Sequence, residues 1–578
     1  MQLDRGQPSA YRDLDTIRRN FASTLLAAIT THGLSVLFFA IAVVTLLEQL
    51  RLLRNLTTRY VNEDHTLLWM AASDWARLDV HEPTFYGQTY GVTLEAIPTA
   101  VLHAFGVSYQ WALPTALAGL ALLGWWLLAW AALRRGMKLA ALCAAGGPLL
   151  VNFEHWIVVE VIGTGMGRFM AAACAALVLG WPSTRRNVAI ATALGGSAVV
   201  VDNACALLAA PALVWASTGW LREKRLWLPA CLGAIVPIAW LALNRWFFHL
   251  HPDHNFHQMG TFAPEWAALR INWENPDPLF RIQALELCQH GTLVLSVVAG
   301  AAILAVYARD WRAAAAVGSL IMLIVMLAAG PKSLDDQATL WFPAARMTLS
   351  SPMAVWFTCS LALSAALKRL QRDVPRLAQG HMLHAACLTV LLGMLTASAL
   401  HVKLTWRERI EPIREAGLSH MMMPLMKPAT IAAMCRSAKR AADEAGTRIV
   451  AFPQQRSLGY ACAALHPDLV TVHPTYERRT WILERLAAET TDRLIVWGLT
   501  PDTCTKTNAR RKRFLRCTLV AKDRAILVEL AEPGSPLAAL RTLGHRPRPF
   551  GPGCHPRNRE TCVEWARLYT NRYARRNP

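Results

Sequence analysis

From about residue 21 to 47 the chain is apolar, and this run follows a basic segment holding Arg5, Arg12, Arg18 and Arg19. The run exceeds the roughly 7–15-residue apolar core of a signal peptide and lacks a convincing cleavage site, so it predicts an uncleaved first membrane helix. Further apolar segments follow at about 92–106, 110–133, 138–153, 168–182, 188–202, 204–220, 226–243, 291–307, 313–329, 341–366 and 384–400. A crossing needs roughly 20 apolar residues. Several of these segments are shorter or polar-interrupted, which suggests a bundle with a cavity. An ordinary soluble domain is about 25% charged, whereas this 578-residue chain is 17% charged and 54% hydrophobic. Its net charge of +20 would suggest nucleic acid in a soluble protein. In a polytopic chain it is what cytoplasmic loops contribute, and 22 tryptophans suit the two membrane interfaces. Nucleic acid is therefore not an expected partner.

The sidedness of charge orders the segments. Basic clusters at 134–138, 184–186, 221–225, 308–312 and 367–376 alternate with longer, mixed-charge connections at 48–91, 151–167, around 202, 244–290 and 330–346. The positive-inside rule puts the first set in the cytoplasm. With residues 1–20 also inside, the expectation is about eleven transmembrane helices, provided that 92–133 contributes one net crossing and 92–106 dips or spans accordingly. The expected fold is thus a polytopic α-helical membrane protein in a bacterial inner membrane. It comprises a transmembrane domain at 21–403, with a first external loop at 48–91, and a C-terminal external (periplasmic) α/β domain at 404–578.

That last region reads as a helix-like stretch at 428–446 leading to RIVAFP, LGYACAALHP, LVTVHP, TWILERLAAETT and RLIVWG, then a hairpin in RCTLVAKDRAILVEL, together a compact α/β domain of about 150 residues. It contains no glycine-rich nucleotide fingerprint, and its Pro- and Arg-rich tail reads as an irregular surface segment. Seven cysteines (Cys143, Cys174, Cys205, Cys231, Cys288, Cys359, Cys387) fall in or beside apolar segments and read as small buried hydrophobes. The other six, Cys435, Cys462, Cys504, Cys517, Cys554 and Cys562, lie in the domain placed outside, where disulfides are plausible; sequential pairing is one of fifteen connectivities.

Ionisable groups inside or beside the hydrocarbon slab are costly and are functional candidates by default. Most lie on the external side. Glu63 and Asp64 open a stretch with helical apolar spacing to Arg77, which suits an interfacial helix, and their bland reading is an N-cap. His65 follows them. Glu154, His155, Glu160 and Arg168, then Asp202, and later Lys332 and Arg346, are the other external candidates; each could be a loop charge or a snorkelling side chain. The histidine-rich HLHPDHNFH (249–257) matches no metal motif, and Pro252 argues against a helix there.

The acidic pair Glu63–Asp64, the stretch YGQTYGVTLEA at 86–96, the multi-pass layout and Arg346 before a late helix together resemble lipid-dependent glycosyltransferases of the GT-C superfamily. Protein O-mannosyltransferases and aminoarabinose transferases are the members most alike, over roughly residues 20–400. The family opens its acidic pair with Asp where Glu63 stands here, and its tyrosine-rich Arg-Tyr segment reads Ala-Arg-Met. The resemblance implies a polyprenyl-phosphate sugar as donor and a lipid, glycan or protein acceptor. It implies Asp64, then Glu63, as the carboxylate base of an inverting transfer, with no cofactor and no divalent metal expected. Lys332, Arg346 or Arg168 would stabilise the departing phosphate. His65, Tyr86, Gln88, Tyr90, Glu154 and Asp202 would help bind substrate, although Tyr86, Gln88 and Tyr90 read equally well as interface anchors. A transporter or lipid flippase is the alternative, although no internal repeat of the kind such proteins often carry is visible.

Overall fold

The computed structural model describes residues 33, 36–59, 61, 63–84, 86, 91–161, 165–251, 263–330, 344–374, 381–416, 426–453, 456–472, 486, 490–498, 515–520, 525–536 and 539–540. The N-terminal 1–20 segment, most of the histidine-rich stretch, Gln88, Tyr90, Lys332, Cys504, Cys554, Cys562 and the C-terminal tail lie outside these residues.

Seven helices among the described residues are long and apolar enough to cross a membrane. The chain is a multi-pass helical membrane protein. Helix α1 (Val36–Thr57) ends in a widened π turn at Leu53–Thr57. A 14-residue helix α2 (Glu63–Ala76) and a nine-residue helix α3 (Ala96–Ala104) precede α4 (Tyr109–Arg134). At 1.5 Å per residue α3 is roughly 13 Å long, less than half the hydrocarbon thickness. It does not cross, so 92–133 contributes the one crossing at α4. Gly106, at φ 88°, makes the turn between α3 and α4.

Helices α5 (Phe153–Val161) and α6 (Gly165–Gly180) meet at 116° and count as an eighth, broken span. Next come α7 (Arg185–Val201) and α8 (Ala206–Trp220), of 17 and 15 residues, shorter than the other spans. This shortness accounts for two of the expected eleven, and a further expected segment, 138–153, is divided into the short helices Lys138–Ala145 and Gly147–Leu150. The remaining spans are α9 (Trp227–Leu250), α10 (Gly291–Ala308), α11 (Trp311–Ala329), α13 (Ser351–Asp373), preceded by the single turn α12 (Ala344–Met347), and α14 (His381–Ala416). Helix α14 runs unbroken through 404, so the change from bundle to domain falls after it and not at the expected boundary.

Close packing inside the bundle depends on small residues. A Cβ on Gly180 would come within 2.9 Å of the Ala131 backbone, and one on Gly233 within 2.3 Å of the Ala189 carbonyl oxygen. The basic clusters gather at one end. Arg135 and Arg312 both lie over the Trp215 ring, at 5.1 and 4.8 Å, and Arg134 lies over Trp181 at 4.7 Å. Asp310 caps α11 there, accepting from Arg312 N at 3.0 Å.

The C-terminal domain has α15 (Pro428–Glu444), α16 (Arg456–Leu465) and a five-stranded sheet of order β2-β1-β3-β5-β4. Strands β1 (Ile449–Ala451), β2 (Val470–Val472) and β3 (Thr491–Trp497) pair in parallel. Strands β4 (Leu515–Val520) and β5 (Ala525–Gly534) form the expected antiparallel hairpin, with Cys517 opposite Val528. A disulfide, Cys435–Cys462, ties α15 to α16, and Cys517 is also disulfide-bonded. The apolar-segment cysteines are free; Cys174 and Cys205 are buried as expected, but Cys231, Cys288 and Cys387 are exposed.

The domain does not hang from the bundle. Val61 and Met426 exchange two backbone hydrogen bonds of 2.9 Å, and α2 packs against α16 on one side and against α3 and α4 on the other. Residues His65 to Asp74 are all buried. The expected interfacial helix is therefore a core element: Leu67, Leu68 and Ala71 have no exposed surface. Burying each leucine stabilises the contact by roughly 1.5–3 kcal/mol.

Candidate active site

The acidic pair occupies the first turn of α2, where backbone N–H groups and the helix dipole favour negative charge. Both carboxylates are half-buried, and His65, one residue on, points into the core at 2% exposure. Its ring hydrogen-bonds the Glu160 backbone, and burial lowers its pKa to about 4, against a weaker opposing pull from Asp64. The imidazole is thus neutral at pH 7. A narrow crevice runs beside it, lined by Thr57, Thr58, Trp69 and Gln110 from the bundle side and Pro428 from the domain.

The Glu160 backbone group that meets His65 sits near the C-terminal end of α5, at the break. The preceding carbonyl, Val159, accepts a 3.4 Å hydrogen bond from Arg168 Nη2 on α6. Two neighbouring backbone groups of one helix end therefore join the His65 region to Arg168. The carbonyl end of a helix carries partial negative charge, which suits the guanidinium. The Glu160 carboxyl is fully buried beside the Thr57 hydroxyl.

Arg168 is 2% exposed and lies within Coulombic reach of Asp202 and Glu95. Asp202 ends α7 and caps the short turn Asn203–Cys205, accepting from Ala204 N at 3.1 Å. Gly167 makes this approach possible: a Cβ there would meet Cys205 Sγ at 3.1 Å and Asp202 Cβ at 3.3 Å. Glu95 is fully buried, and its Oε1 accepts from Met166 N at 3.0 Å near the start of α6. Burial raises its pKa to about 8, with the Met166 hydrogen bond and Arg168 pulling the other way and Asp202 adding to the rise. Arg346, half-buried on α12, belongs to the same region: α12 packs against Asn203–Cys205, and Ser350 just beyond it lies 3.8 Å from Cys205 Sγ.

The structure thus brings His65, next in sequence to the acidic pair, and Arg168 to neighbouring backbone groups at the end of α5, with Asp202 facing Arg168 and α12, which bears Arg346, packed on the adjoining turn. Two other expected substrate contacts have structural partners instead. Tyr86 is 1% exposed and donates to Asp74 Oδ2 at 2.9 Å, and Asp74 also holds Arg77 at 2.6 Å, so Tyr86 pins the loop to the end of α2. Glu154 pairs with Arg281 at 3.3 Å. Its neighbour Phe153 N donates to Glu286 Oε2 at 2.9 Å, and Glu286 Oε1 meets His401 Nδ1 of α14 at 2.7 Å, which anchors the start of the broken span. Sequence reasoning missed Glu95 as a site residue. The available signal was a lone acid in the apolar run VTLEAIPTAV. Among the described residues no group of three or more His, Cys, Asp or Glu side chains is placed to hold a metal ion.

Fold and site together define a class: a polytopic membrane protein with a buried ionisable centre at the end of the bundle that carries its α/β domain. No family model matches the sequence, and no curated protein is similar to it. Among solved structures, the chain is similar to ArnT from Cupriavidus metallidurans bound to undecaprenyl phosphate, at a TM-score of 0.46 and 15% identity, covering 86% of this chain and 98% of that one. It is also similar to the Archaeoglobus fulgidus oligosaccharyltransferase in the apo form, at 0.41 and 10%, covering 86% and 74% respectively.

Proposed function

We propose that this protein transfers a sugar from a polyprenyl-phosphate donor to an acceptor hydroxyl at the face of the membrane that carries the C-terminal domain. The observation that carries the reading is the meeting, at the break between α5 and α6, of α2 with its carboxylate pair and the cationic groups Arg168 and Arg346. A displacement at an anomeric carbon needs those two kinds of group on one centre. The sequence resemblance to GT-C glycosyltransferases supplies the donor class.

Asp64, with Glu63 second, takes the proton of the acceptor hydroxyl as its oxygen bonds to the anomeric carbon. The bond from that carbon to the phosphate oxygen breaks, and the electron pair leaves with the polyprenyl phosphate. Arg168 and Arg346 offset the charge that develops on the phosphate, and Lys332 is a further candidate. One displacement inverts the anomeric centre. Buried neutral His65 holds the start of α2 against the broken span, and no cofactor or metal is assigned a step. The broken span itself also suits the alternative of a transporter or lipid flippase, in which such breaks line a substrate path.

The test uses purified protein in nanodiscs with labelled polyprenyl-phosphate sugars and lipid, glycan or peptide acceptors. Asp64→Asn should lose on the order of 10²–10⁴-fold in turnover, the range of a general base, with its thermal unfolding unchanged. Full turnover in both Asp64→Asn and Glu63→Gln would remove the acidic pair from the chemistry. Saturable lipid or solute movement without transfer would favour the transporter.

A further inference from the structure

One buried guanidinium and two carboxyls act on one another beside the broken span, and their charges do not balance if all three are ionised; Arg346, half-buried on α12, is not among the charges that act on Glu95. Arg168 contributes +1; Asp202 and Glu95 together would contribute −2. An anionic phosphate entering a buried site of net charge −1 is repelled, and the low dielectric of the site strengthens that repulsion relative to water. With a proton on one carboxyl the centre is neutral, and Arg168 can turn toward a new anion without leaving an ionised partner in surplus.

Geometry says which carboxyl holds the proton. Asp202 is partly exposed, and its Oδ1 caps the turn at Ala204 N, an interaction that favours the ionised form. Glu95 has no exposed surface, and its Oε2 has no side-chain partner among the described residues, while Oε1 is held by Met166 N. The charged groups acting on Glu95 are Arg168 and Asp202. The other titratable groups on the surrounding elements are Glu63, Asp64, His65 and Asp74 on α2, Tyr109 on α4, Glu154, His155 and Glu160 on α5, Cys205, and Arg346 on α12.

Resting on the proposed donor class, we infer that phosphate binding at Arg168 requires the proton on Glu95, which makes donor binding proton-linked and gives it an upper pH limit. The proton affinity of the free protein's Glu95, with a pKa near 8, places that limit just above neutrality. Below it the site is neutral and accepts the phosphate; above it each further pH unit weakens binding about tenfold, as one proton must be taken up with the ligand. A bound phosphate in turn raises the proton affinity of Glu95 by the same linkage.

The experiment measures the affinity of the full-length protein in nanodiscs for a short-chain prenyl monophosphate from pH 7 to 10, a range in which the probe's own second ionisation is complete. Wild type should lose about tenfold per pH unit above pH 8, whereas Glu95→Gln, neutral throughout, should bind with one affinity across the range. A second readout needs no variant: at pH 8.5–9 binding to wild type should take up protons, seen as a calorimetric heat that changes with the ionisation enthalpy of the buffer. Flat wild-type affinity with no proton uptake overturns the linkage and leaves the donor reading intact. A fall that persists equally in Glu95→Gln assigns the proton to another group and also overturns it. If wild type binds no prenyl phosphate at any pH, the donor reading itself fails and the inference falls with it.

Discussion

Arginines meet helix α6 at both of its ends, Arg168 within it and Arg134 of α4 beside its far end, and the two are handled differently. Arg168 sits one turn from its start, buried among Glu95, Asp202 and the carbonyl of Val159. About 20 Å further along, at 1.5 Å per residue, the helix ends at Gly180, and the next residue, Trp181, stacks under Arg134. At this second end Arg134, Arg135 and Arg312 lie over Trp130, Trp181 and Trp215, with their charge near solvent or headgroups. A guanidinium there gains a modest cation–π attraction and pays little desolvation. At the first end, charge is out of water and must be balanced by other charge. One end orients the protein in its membrane; the other holds the arrangement that can do chemistry.

Replacing the central arginine at each end should expose that difference. Arg168→Met removes the guanidinium's hydrogen bond to the Val159 carbonyl and the cation facing Asp202, which is itself partly exposed, so the cost should approach but not exceed the about 3–5 kcal/mol of breaking a fully buried pair. We expect a large fall in the thermal unfolding midpoint in detergent together with loss of transfer. Arg312→Met loses a stacking contact and its 3.0 Å hydrogen bond to Thr218, and should cost about 1 kcal/mol with turnover kept. Equal losses at the two ends would mean that the Arg168 centre is wetter than its burial implies.

Much of the bundle was legible in the sequence because a membrane imposes a length and a charge rule that act locally along the chain. The basic clusters do collect at one end, and the α/β domain shows the expected helix near 428–446 and the expected hairpin. What stayed hidden depends on partners distant in sequence. The apolar face of α2 reads as membrane-seeking because α16, nearly 400 residues later, cannot be seen beside it. Tyr86 reads as a ligand contact until Asp74 is found at its hydroxyl. Glu95 passes as part of an apolar segment, since only the fold brings Met166, Arg168 and Asp202 to it. Asp64, Arg168 and Asp202 were legible for the opposite reason: a charge in or beside an apolar run demands explanation wherever it folds.

Acid should also distinguish the two ends. The His65 pKa is lowered to about 4 from 6.5 by burial. The folded state therefore resists a proton that the unfolded chain accepts, so stability is fully present above about pH 6.5 and is lost as pH falls toward 4. A shift of this size corresponds to on the order of 3 kcal/mol over the window. His155 and other groups titrate as well, so the measurement is the difference between wild type and His65→Asn in the unfolding midpoint from pH 7 to 4. The variant should show the shallower decline. If both curves fall together, the ring is not held neutral and His65 is more open to water than its 2% exposure suggests.

The smallest effect is expected at Arg135, and it tests the tryptophan-rich end on its own terms. Its guanidinium lies 5.1 Å above Trp215 and 3.4 Å from the Leu179 carbonyl, and it shares that ring with Arg312, a like charge that weakens the stack. Arg135→Gln removes one charge from a pair that repels and keeps a donor for the carbonyl. The lost cation–π contact, about 0.5–1 kcal/mol at an exposed site, is then partly offset by the relief of repulsion at Arg312. The unfolding midpoint should move by no more than a degree or two, and turnover should hold. The informative readout is orientation: removing a basic residue from this cluster weakens the positive-inside signal, so protease protection of the C-terminal domain in sealed vesicles should fall for Arg134→Gln/Arg135→Gln together before it falls for either alone. A substantial loss of stability from Arg135→Gln would place this arginine in a buried network like that of Arg168 and erase the contrast between the two ends of α6.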